Sequence, residues 1–180
     1  MKRLFLAIKL SPEVKGVLYG LQDEFKDLMK HSKVTWVDPE IAHITLHFLG
    51  DVLEDDIHAL VSELRAGNYP EPFELETRST SCFPNPKKPK TLYVETSNHT
   101  AAIGLHKRLA KILVENGFEI DERPWTPHIT LGRVRVQSET CPPDGIEVPR
   151  VVFEVSSFDL VESELNADGP IYTTIKTFKL

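Results

Sequence analysis

The tetrapeptide His-Ile-Thr-Leu occurs twice in this chain, at residues 43–46 and again at residues 128–131. The composition predicts roughly 0.003 further copies by chance, so the repeat indicates a duplicated structural unit. Both copies lie in runs typical of β-strands. Since successive side chains of a strand point to opposite faces, His and Thr share one face while Ile and Leu share the other. Each copy therefore predicts a strand that buries two apolar side chains and presents an imidazole beside a hydroxyl.

The segments around the two copies repeat the same order of elements. Each unit has a strand, an amphipathic helix and a motif strand, predicted at 3–9, 12–30 and 43–52 in the first unit and at 91–96, 99–116 and 127–136 in the second. From Leu6 to His43 the chain advances 37 positions, and from Val94 to His128 it advances 34. These similar spacings support a duplication in which the loops have changed in length.

The remaining segments complete the predicted fold. They are strands at 33–37 and 71–83, a helix at 54–66, a Pro- and Lys-rich loop at 83–90, and two alternating strands at 151–165 and 169–178. Strands with helices between and beside them favour an α+β protein with mainly antiparallel sheets. The length of 180 residues fits one domain, or two small lobes that share a core.

Composition and charge exclude several classes of protein. The net charge of −6 argues against a general nucleic-acid coat protein, so an anionic ligand would require a local basic patch. No segment approaches the ~20 consecutive apolar residues that span a bilayer, and no signal-peptide cleavage site follows the first apolar run. We therefore expect a cytoplasmic protein with no membrane partner. The isolated Cys82 and Cys141 suggest neither a disulfide framework nor a cysteine zinc site.

Packing of the two units about an approximate twofold axis would bring two imidazoles and two hydroxyls into one cleft. Hydrolysis of a phosphodiester needs a base for water and an acid for the departing oxygen, and His43 and His128 can serve as either near their ordinary pKa of ~6.5. The hydroxyls of Thr45 and Thr130 can donate to the non-bridging phosphate oxygens, and a nearby guanidinium can neutralise charge there. This scheme needs no metal.

A metal site built from His43 and His128 is an alternative interpretation of the same pattern. Zinc usually takes three or four protein ligands, and neither an HxxxH pair nor a pair of carboxylates lies near either motif. A serine nucleophile lacks a recognisable GxSxG elbow. We therefore predict neither a metal nor another cofactor.

With both His-x-Thr motifs identified, the chain closely resembles the 2H phosphoesterase superfamily, and within it the RNA 2′,3′-cyclic phosphodiesterases, also called 2′-5′ RNA ligases. The likeness covers nearly the whole length and includes the runs RLFLAI, WVDPEIAHITLHFLGDV, FPNPKKPKTLYV, RPWTPHITLGRV and ESELNADGPIYTTI. Two such motifs at this spacing are strongly specific for the superfamily. The resemblance implies a single domain, residues 1–180, in which two duplicated, pseudosymmetric lobes of mainly antiparallel sheets and flanking helices surround a central cleft.

The same resemblance implies a reaction and the roles of four residues. The family opens an RNA 2′,3′-cyclic phosphate to a 2′-phosphomonoester without metal, and some members join RNA ends through a 2′-5′ bond in reverse. Carried over to this chain, His43 is the proton donor for the departing 3′ oxygen and His128 is the proton acceptor for water. Thr45 and Thr130 hold the phosphate. Spacing alone does not say which histidine has which role.

Two residues on the motif strands are candidates for binding substrate. Arg133 falls at the family's basic position after the second motif. Strict alternation would turn it away from His128, so its participation requires a twist or bulge in the strand, which Gly132 would permit. His47 shares the face of His43 if its strand is regular, and it then borders the cleft, although packing or solvent exposure would also explain it.

Four other residues are candidates for contacts with RNA. Phe48 and Trp125 could stack on a base, although aromatic residues beside strands also belong to cores. Lys87 and Lys88 could attract the RNA backbone, and a solvated loop explains them equally well.

Two further functions fit the same motifs. One is a non-catalytic module that binds nucleotides or RNA ends, against which the intact pair of motifs argues. The other is a phosphodiesterase for small cyclic nucleotides or 2′-5′ oligonucleotides. The expected partners are RNA ends with a 2′,3′-cyclic phosphate or small cyclic nucleotides, and we expect a monomer.

Overall fold

The computed structural model describes residues 1–97, 99–137, 146–167 and 169–180, and Cys141 lies outside these ranges. The helices of the described part are α1 (Pro12–Leu28), α2 (Glu54–Ala66) and α3 (His99–Glu115). Its strands are β1 (Lys2–Lys9), β2 (Lys33–Trp36), β3 (His43–Val52), β4 (Phe73–Phe83), β5 (Thr91–Thr96), β6 (His128–Val136), β7 (Val152–Val155), β8 (Ser157–Asn166) and β9 (Gly169–Lys179). None of the described helices is long and apolar enough to cross a membrane.

Two antiparallel sheets carry the two motif strands. Sheet A has the strand order β3-β1-β8-β9, and sheet B has the order β2-β6-β5-β4-β7. In each sheet the motif strand pairs with the strand that begins its own unit, β3 with β1 and β6 with β5. The predicted α+β class with mainly antiparallel sheets is therefore confirmed.

The end of the chain differs from the prediction. Residues 151–165 form two strands, and each belongs to a different sheet: β7 pairs with β4 in sheet B, while β8 pairs with β1 in sheet A. The single strand predicted for this segment is wrong: the alternation of buried residues is broken at Ser156, after Phe153 and Val155 and before Phe158, where the chain passes from one sheet to the other. This crossing ties the two sheets together.

The connecting segments of each unit reach across to the motif strand of the other sheet. From α1, the side chain of Gln22 donates a hydrogen bond to the Leu131 carbonyl in β6, at 3.0 Å. From the segment before β6, the indole of Trp125 donates to the Thr45 carbonyl in β3, also at 3.0 Å. Each motif strand is thus positioned by the unit to which it does not belong in sequence.

The apolar residues of both motifs lie in the core. Ile44, Leu46, Ile129 and Leu131 are 0–2% exposed and belong to a single buried cluster that includes residues of both sheets. Burial of a branched apolar side chain contributes about 1.5–3 kcal/mol. The burial of these four residues directs the histidines and threonines of both motifs to the other face.

Strand β2 packs closely against β6 at Gly132. A Cβ atom at this position would lie 2.9 Å from Trp36 Cε3 and from Val34 Cγ1, and 3.3 Å from the Thr35 carbonyl oxygen. The close approach therefore requires glycine at residue 132.

We expect Gly132→Ala to lower the free energy of unfolding by about 1–3 kcal/mol, because the added methyl group must displace Trp36 and Val34. Gly16→Ala is the matched control, since a Cβ atom there meets nothing within 4 Å, and in a helix it should raise the free energy by about 0.5–1 kcal/mol. Urea unfolding measures both. Equal effects of the two substitutions would contradict the close packing of β2 on β6.

Candidate active site

A cleft of about 550 Å³ lies between the two sheets. Its lining includes His43, Thr45 and Phe48 from β3, and Thr130 and Arg133 from β6. Strand β9 contributes Tyr172. The structure thus brings His43, Thr45 and Thr130 into one concave surface, with the size of a small-ligand site. Of the four polar residues of the motifs, His128 does not belong to this lining; it precedes Thr130 by two residues on β6.

The four polar residues of the motifs are half-buried, between core and solvent. His43 and His128 are close enough for the charge of His128 to lower the pKa of His43. The hydroxyls of Thr45 and Thr130 have no hydrogen-bond partner within the described residues. These hydroxyls are therefore available to a ligand.

Each motif histidine forms the same hydrogen bond to the backbone. His43 Nδ1 lies 2.9 Å from the Ile41 carbonyl oxygen, and His128 Nδ1 lies 2.7 Å from the Thr126 carbonyl oxygen. A carbonyl oxygen only accepts, so each Nδ1 carries a hydrogen and donates it. In the neutral imidazole, Nε2 is then the unprotonated nitrogen, and it has no hydrogen-bond partner in the described part of the chain.

An aromatic pair packs against each motif histidine. The His43 ring lies 4.8 Å from Phe5 and 5.3 Å from Tyr172, measured between ring centroids. The His128 ring lies 5.2 Å from both Phe83 and Tyr93. These rings restrict the orientation of the imidazoles.

The sequence analysis did not identify these four aromatic residues. Phe5 and Tyr93 could have been found, because they lie on the strands that pair with the motif strands. Tyr172 comes from β9, far from His43 in sequence, and no local pattern indicates their contact.

Burial lowers the pKa of both motif histidines below 6.5. The hydrogen bonds from Nδ1 oppose this effect, because they favour the charged imidazole. The positive charge of Arg133 lowers both pKa values further. An anion bound between these groups would offset that repulsion and favour protonation of a histidine.

A shift of one residue in strand register follows the His-x-Thr pair in both motifs. Strand β1 pairs Ala7 with Thr45 and Leu6 with His47, so Leu46 is an extra residue in β3. Strand β5 likewise pairs Tyr93 with Thr130 and Leu92 with Gly132, so Leu131 is an extra residue in β6. Such bulges re-aim the side chains that follow.

The bulges decide which later residues reach the cleft. After Leu131, Gly132 faces the core side and Arg133 lines the cleft, so the structure has the bulge that participation of Arg133 requires. After Leu46, Phe48 holds the equivalent position, where it lines the cleft and is 65% exposed.

His47 lies away from the cleft, and the expectation that it shares the face of His43 is wrong. The bulge at Leu46 turns its side chain inward, where it is 4% exposed. Its Nε2 donates to the His106 carbonyl oxygen at 2.9 Å, and its ring stacks on the His106 ring at 4.0 Å. Burial lowers the pKa of His106 to about 4. This pair is a packing contact between β3 and α3.

Trp125 also belongs to packing rather than to the cleft lining. Its ring stacks on His106 at 4.5 Å between centroids, and its indole bonds to the Thr45 carbonyl. The side chains of Lys87 and Lys88 are exposed on the loop after β4, outside the cleft lining. By contrast, Arg3 and Arg135 line the cleft and were not identified from the sequence.

The donor atoms of the described residues do not form a metal site. Within residues 1–97, 99–137, 146–167 and 169–180, no group of three or more His, Cys, Asp or Glu side chains is arranged to hold a metal ion. The two motif histidines also use Nδ1 for backbone hydrogen bonds, which leaves one nitrogen on each.

Comparison with known proteins gives matches over the full length. A family described as LigT-like phosphoesterase matches residues 8–93 and again residues 94–172. The chain is 32% identical to an RNA 2′,3′-cyclic phosphodiesterase of Methanothermobacter thermautotrophicus, with 99% of this chain and 98% of that protein covered. It is also 32% identical to an RNA 2′,3′-cyclic phosphodiesterase of Thermus thermophilus, with 99% and 90% covered.

Solved structures share the fold. TT0787 of Thermus thermophilus matches with a TM-score of 0.82 and 28% identity, and 99% of this chain and 97% of that chain are covered. Escherichia coli LigT, in a complex with 3′-AMP, matches with a TM-score of 0.82 and 24% identity, and 99% and 98% are covered.

We expect Arg133→Gln to raise the pKa of both His43 and His128 toward 6.5, because removal of the guanidinium removes repulsion against the charged imidazoles. Titration of the imidazole signals by ¹H–¹⁵N NMR measures this change and identifies the protonated nitrogen. His47 is the internal control, since burial and a backbone hydrogen bond, and not Arg133, perturb its pKa. Unchanged midpoints for both motif histidines would show that Arg133 does not act on them.

Proposed function

Because this chain belongs to the LigT-like phosphoesterases of the 2H phosphoesterase superfamily, we propose that it hydrolyses RNA ends that carry a 2′,3′-cyclic phosphate. The chain is an enzyme of this family, a phosphoric diester hydrolase. The proposed product is a 2′-phosphomonoester. The observation that carries the proposal is the shared geometry of His43 and His128, in which each Nδ1 is held by a backbone carbonyl and each Nε2 remains available.

The two histidines supply the two proton transfers. Nε2 of neutral His128 takes a proton from water, and the oxygen of this water forms a bond to phosphorus. The bond between phosphorus and the 3′ oxygen breaks, and Nε2 of protonated His43 gives its proton to that oxygen. The phosphate stays on the 2′ oxygen, and exchange of protons with solvent restores both histidines. The assignment of donor and acceptor is supported by the resemblance to the family.

The lowered pKa values suit these roles once substrate is bound. Neutral His128 is available as a base because burial and Arg133 disfavour its charged form. His43 must be protonated, and the negative charge of the phosphodiester would favour that state by offsetting the charge of Arg133. General acid and general base transfers each contribute roughly 10²- to 10⁴-fold to a rate.

The phosphate group is held by the residues beside the histidines. In this proposal the hydroxyls of Thr45 and Thr130 donate hydrogen bonds to the non-bridging phosphate oxygens. Neither hydroxyl has another hydrogen-bond partner among the described residues. Arg133 stabilises the negative charge that grows on these oxygens as water attacks. The donor set supplies this stabilisation from protein groups alone, so we propose a metal-independent reaction.

Phe48 is the proposed platform for the terminal base. The Phe48 ring lines the cleft and is 65% exposed, so its apolar surface is in contact with water. In complexes with single-stranded nucleic acids, stacking of a base on an aromatic side chain contributes about 1–3 kcal/mol to the binding free energy. Four residues have no role in this proposal: the rings of His47 and Trp125 stack on His106, and Lys87 and Lys88 are exposed on the loop after β4.

Two extensions of this function follow from the same geometry. In 2′-5′ ligation a 5′-hydroxyl replaces water: His128 would take the proton of this hydroxyl, its oxygen would bond to phosphorus, and His43 would give its proton to the departing 3′ oxygen, as in hydrolysis. A small cyclic nucleotide is the alternative substrate, because a cleft of about 550 Å³ has the size of a small-ligand site. A comparison of kcat/KM for cyclic mononucleotides and for RNA ends would distinguish the two substrates.

The organisation of the chain is part of the proposal. We infer one domain of two duplicated lobes, with β3 and β6 as equivalent strands. The family matches residues 8–93 and residues 94–172 separately, which supports this inference. The equivalent bulges at Leu46 and Leu131 also support it.

We expect His43→Ala and His128→Ala each to lower kcat by roughly 10²- to 10⁴-fold, since each removes one proton transfer. The assay follows hydrolysis of an oligoribonucleotide with a 2′,3′-cyclic phosphate in excess chelator. His58→Ala is the matched control, because this exposed histidine of α2 lies outside the cleft lining. Full activity in either motif variant would refute the acid–base pair, and loss of activity on chelation would refute the metal-independent scheme.

The product should carry its phosphate on the 2′ oxygen, because the proposed acid serves the 3′ oxygen. Phosphorus NMR of the reaction mixture distinguishes a 2′-phosphomonoester from a 3′-phosphomonoester. A product with a 3′-phosphate would contradict the proposed positions of His43 and His128 relative to the substrate.

A further inference from the structure

Three arginines converge on the cleft of an acidic protein. The chain has a net charge of −6, yet Arg3, Arg133 and Arg135 all line this cleft. None of the three is within ion-pair distance of a carboxylate in the described ranges. Unpaired guanidiniums in a concave surface raise the local concentration of anions. The cleft therefore suits a ligand with more than one negative charge.

These arginines come from different strands of the cleft. Besides burial, which is the main cause, the positive charge of Arg133 lowers the pKa of both His43 and His128. Arg3 on β1 and Arg135, two residues beyond Arg133 on β6, also line the cleft. They can therefore meet negative charges other than that of the reacting phosphate.

Of the two, Arg135 is held by a neighbouring side chain. Its Nε donates to Thr35 Oγ1 at 3.2 Å. The register between β2 and β6 shifts at this residue, because Val34 pairs with Val134 and Lys33 pairs with Val136. The bulge sets the direction of the Arg135 side chain, and the hydrogen bond to Thr35 holds it there.

The spacing of Arg133 and Arg135 fits neighbouring phosphates. Both line the cleft, and two residues of strand separate their Cα atoms by roughly 7 Å. A 2′,3′-cyclic phosphate stands at the 3′ end of an RNA strand, and the strand continues through the 5′ oxygen of the same ribose. The next negative charge is therefore the phosphodiester on that 5′ oxygen, one nucleoside away from the reacting group.

We propose that Arg135, positioned by Thr35, forms a second phosphate subsite that binds the phosphodiester between the terminal nucleotide and its neighbour. This inference rests on the proposed function and specifies its substrate as an RNA strand of at least two nucleotides. A cyclic mononucleotide lacks the phosphodiester and leaves Arg135 without an anion. Hydrogen bonds from a guanidinium to a phosphate are charge-assisted and favour the longer ligand.

Binding of product-type ligands tests the subsite without requiring turnover. The probes are 2′-AMP and the dinucleotide in which a second adenosine is joined through a 3′-5′ phosphodiester to the 5′ oxygen of 2′-AMP. Their affinities are measured by titration calorimetry. Wild-type protein should bind the dinucleotide roughly 10- to 100-fold more tightly. In Arg135→Gln this ratio should fall close to one. Arg65→Gln, which removes a positive charge from the exposed end of α2, should keep the wild-type ratio.

A neutral linkage provides a test that needs no substitution. A dinucleotide with a methylphosphonate between its nucleosides keeps both bases and removes the charge, so wild-type protein should bind it no more tightly than 2′-AMP. An equal affinity of wild-type protein for 2′-AMP and the charged dinucleotide would overturn the subsite, as would an unchanged ratio in Arg135→Gln. Absence of hydrolysis in the cyclic phosphate assay would refute the proposed function alone, because these titrations measure binding.

Discussion

One extra residue in each motif strand sets the arrangement on which the cleft depends. In an unbroken strand, His43, Thr45 and His47 would share a face, and so would His128, Thr130 and Gly132. Because Leu46 and Leu131 are extra residues against β1 and β5, the face changes after each threonine. The residue after each leucine, which is His47 or Gly132, therefore packs inward. The residue after that, Phe48 or Arg133, lines the cleft. A one-residue bulge in each motif strand therefore adds a third side chain to each His-Thr pair.

The same backbone geometry carries different chemistry in the two sheets. At the inward position, His47 stacks on His106 in sheet A, while Gly132 admits Trp36 and Val34 of β2 in sheet B. At the outward position, Phe48 offers an apolar ring and Arg133 offers a positive charge. A ligand bound between the sheets thus meets an aromatic surface on one side and a cation on the other. Such asymmetry suits a nucleotide end, in which a base and a phosphate must be held in different surroundings.

Hydrogen bonds from α1 and from the segment before β6 hold the two motif strands in place. Gln22 donates to the Leu131 carbonyl, at the bulge of β6, and Trp125 donates to the Thr45 carbonyl, beside the bulge of β3. The Leu131 carbonyl also accepts from the Val37 N–H just after β2, so Gln22 adds a second hydrogen bond at this bulge. The separation of the two histidines consequently depends on the packing of α1, α3 and their following segments, and not on either sheet alone.

Local signals were enough to predict most of the elements and the four polar residues of the motifs. The boundaries of β3 and α2 agree with the predicted 43–52 and 54–66, because apolar periodicity is a local signal. The outward direction of His43, Thr45, His128 and Thr130 also follows from local alternation with buried Ile and Leu. Packing between distant segments sets three features that local patterns did not predict: His47 turns inward, Tyr172 packs on His43, and β7 and β8 join different sheets. Each of these depends on a partner that is distant in the chain, and alternation along a single strand does not identify that partner or the position of a bulge against it.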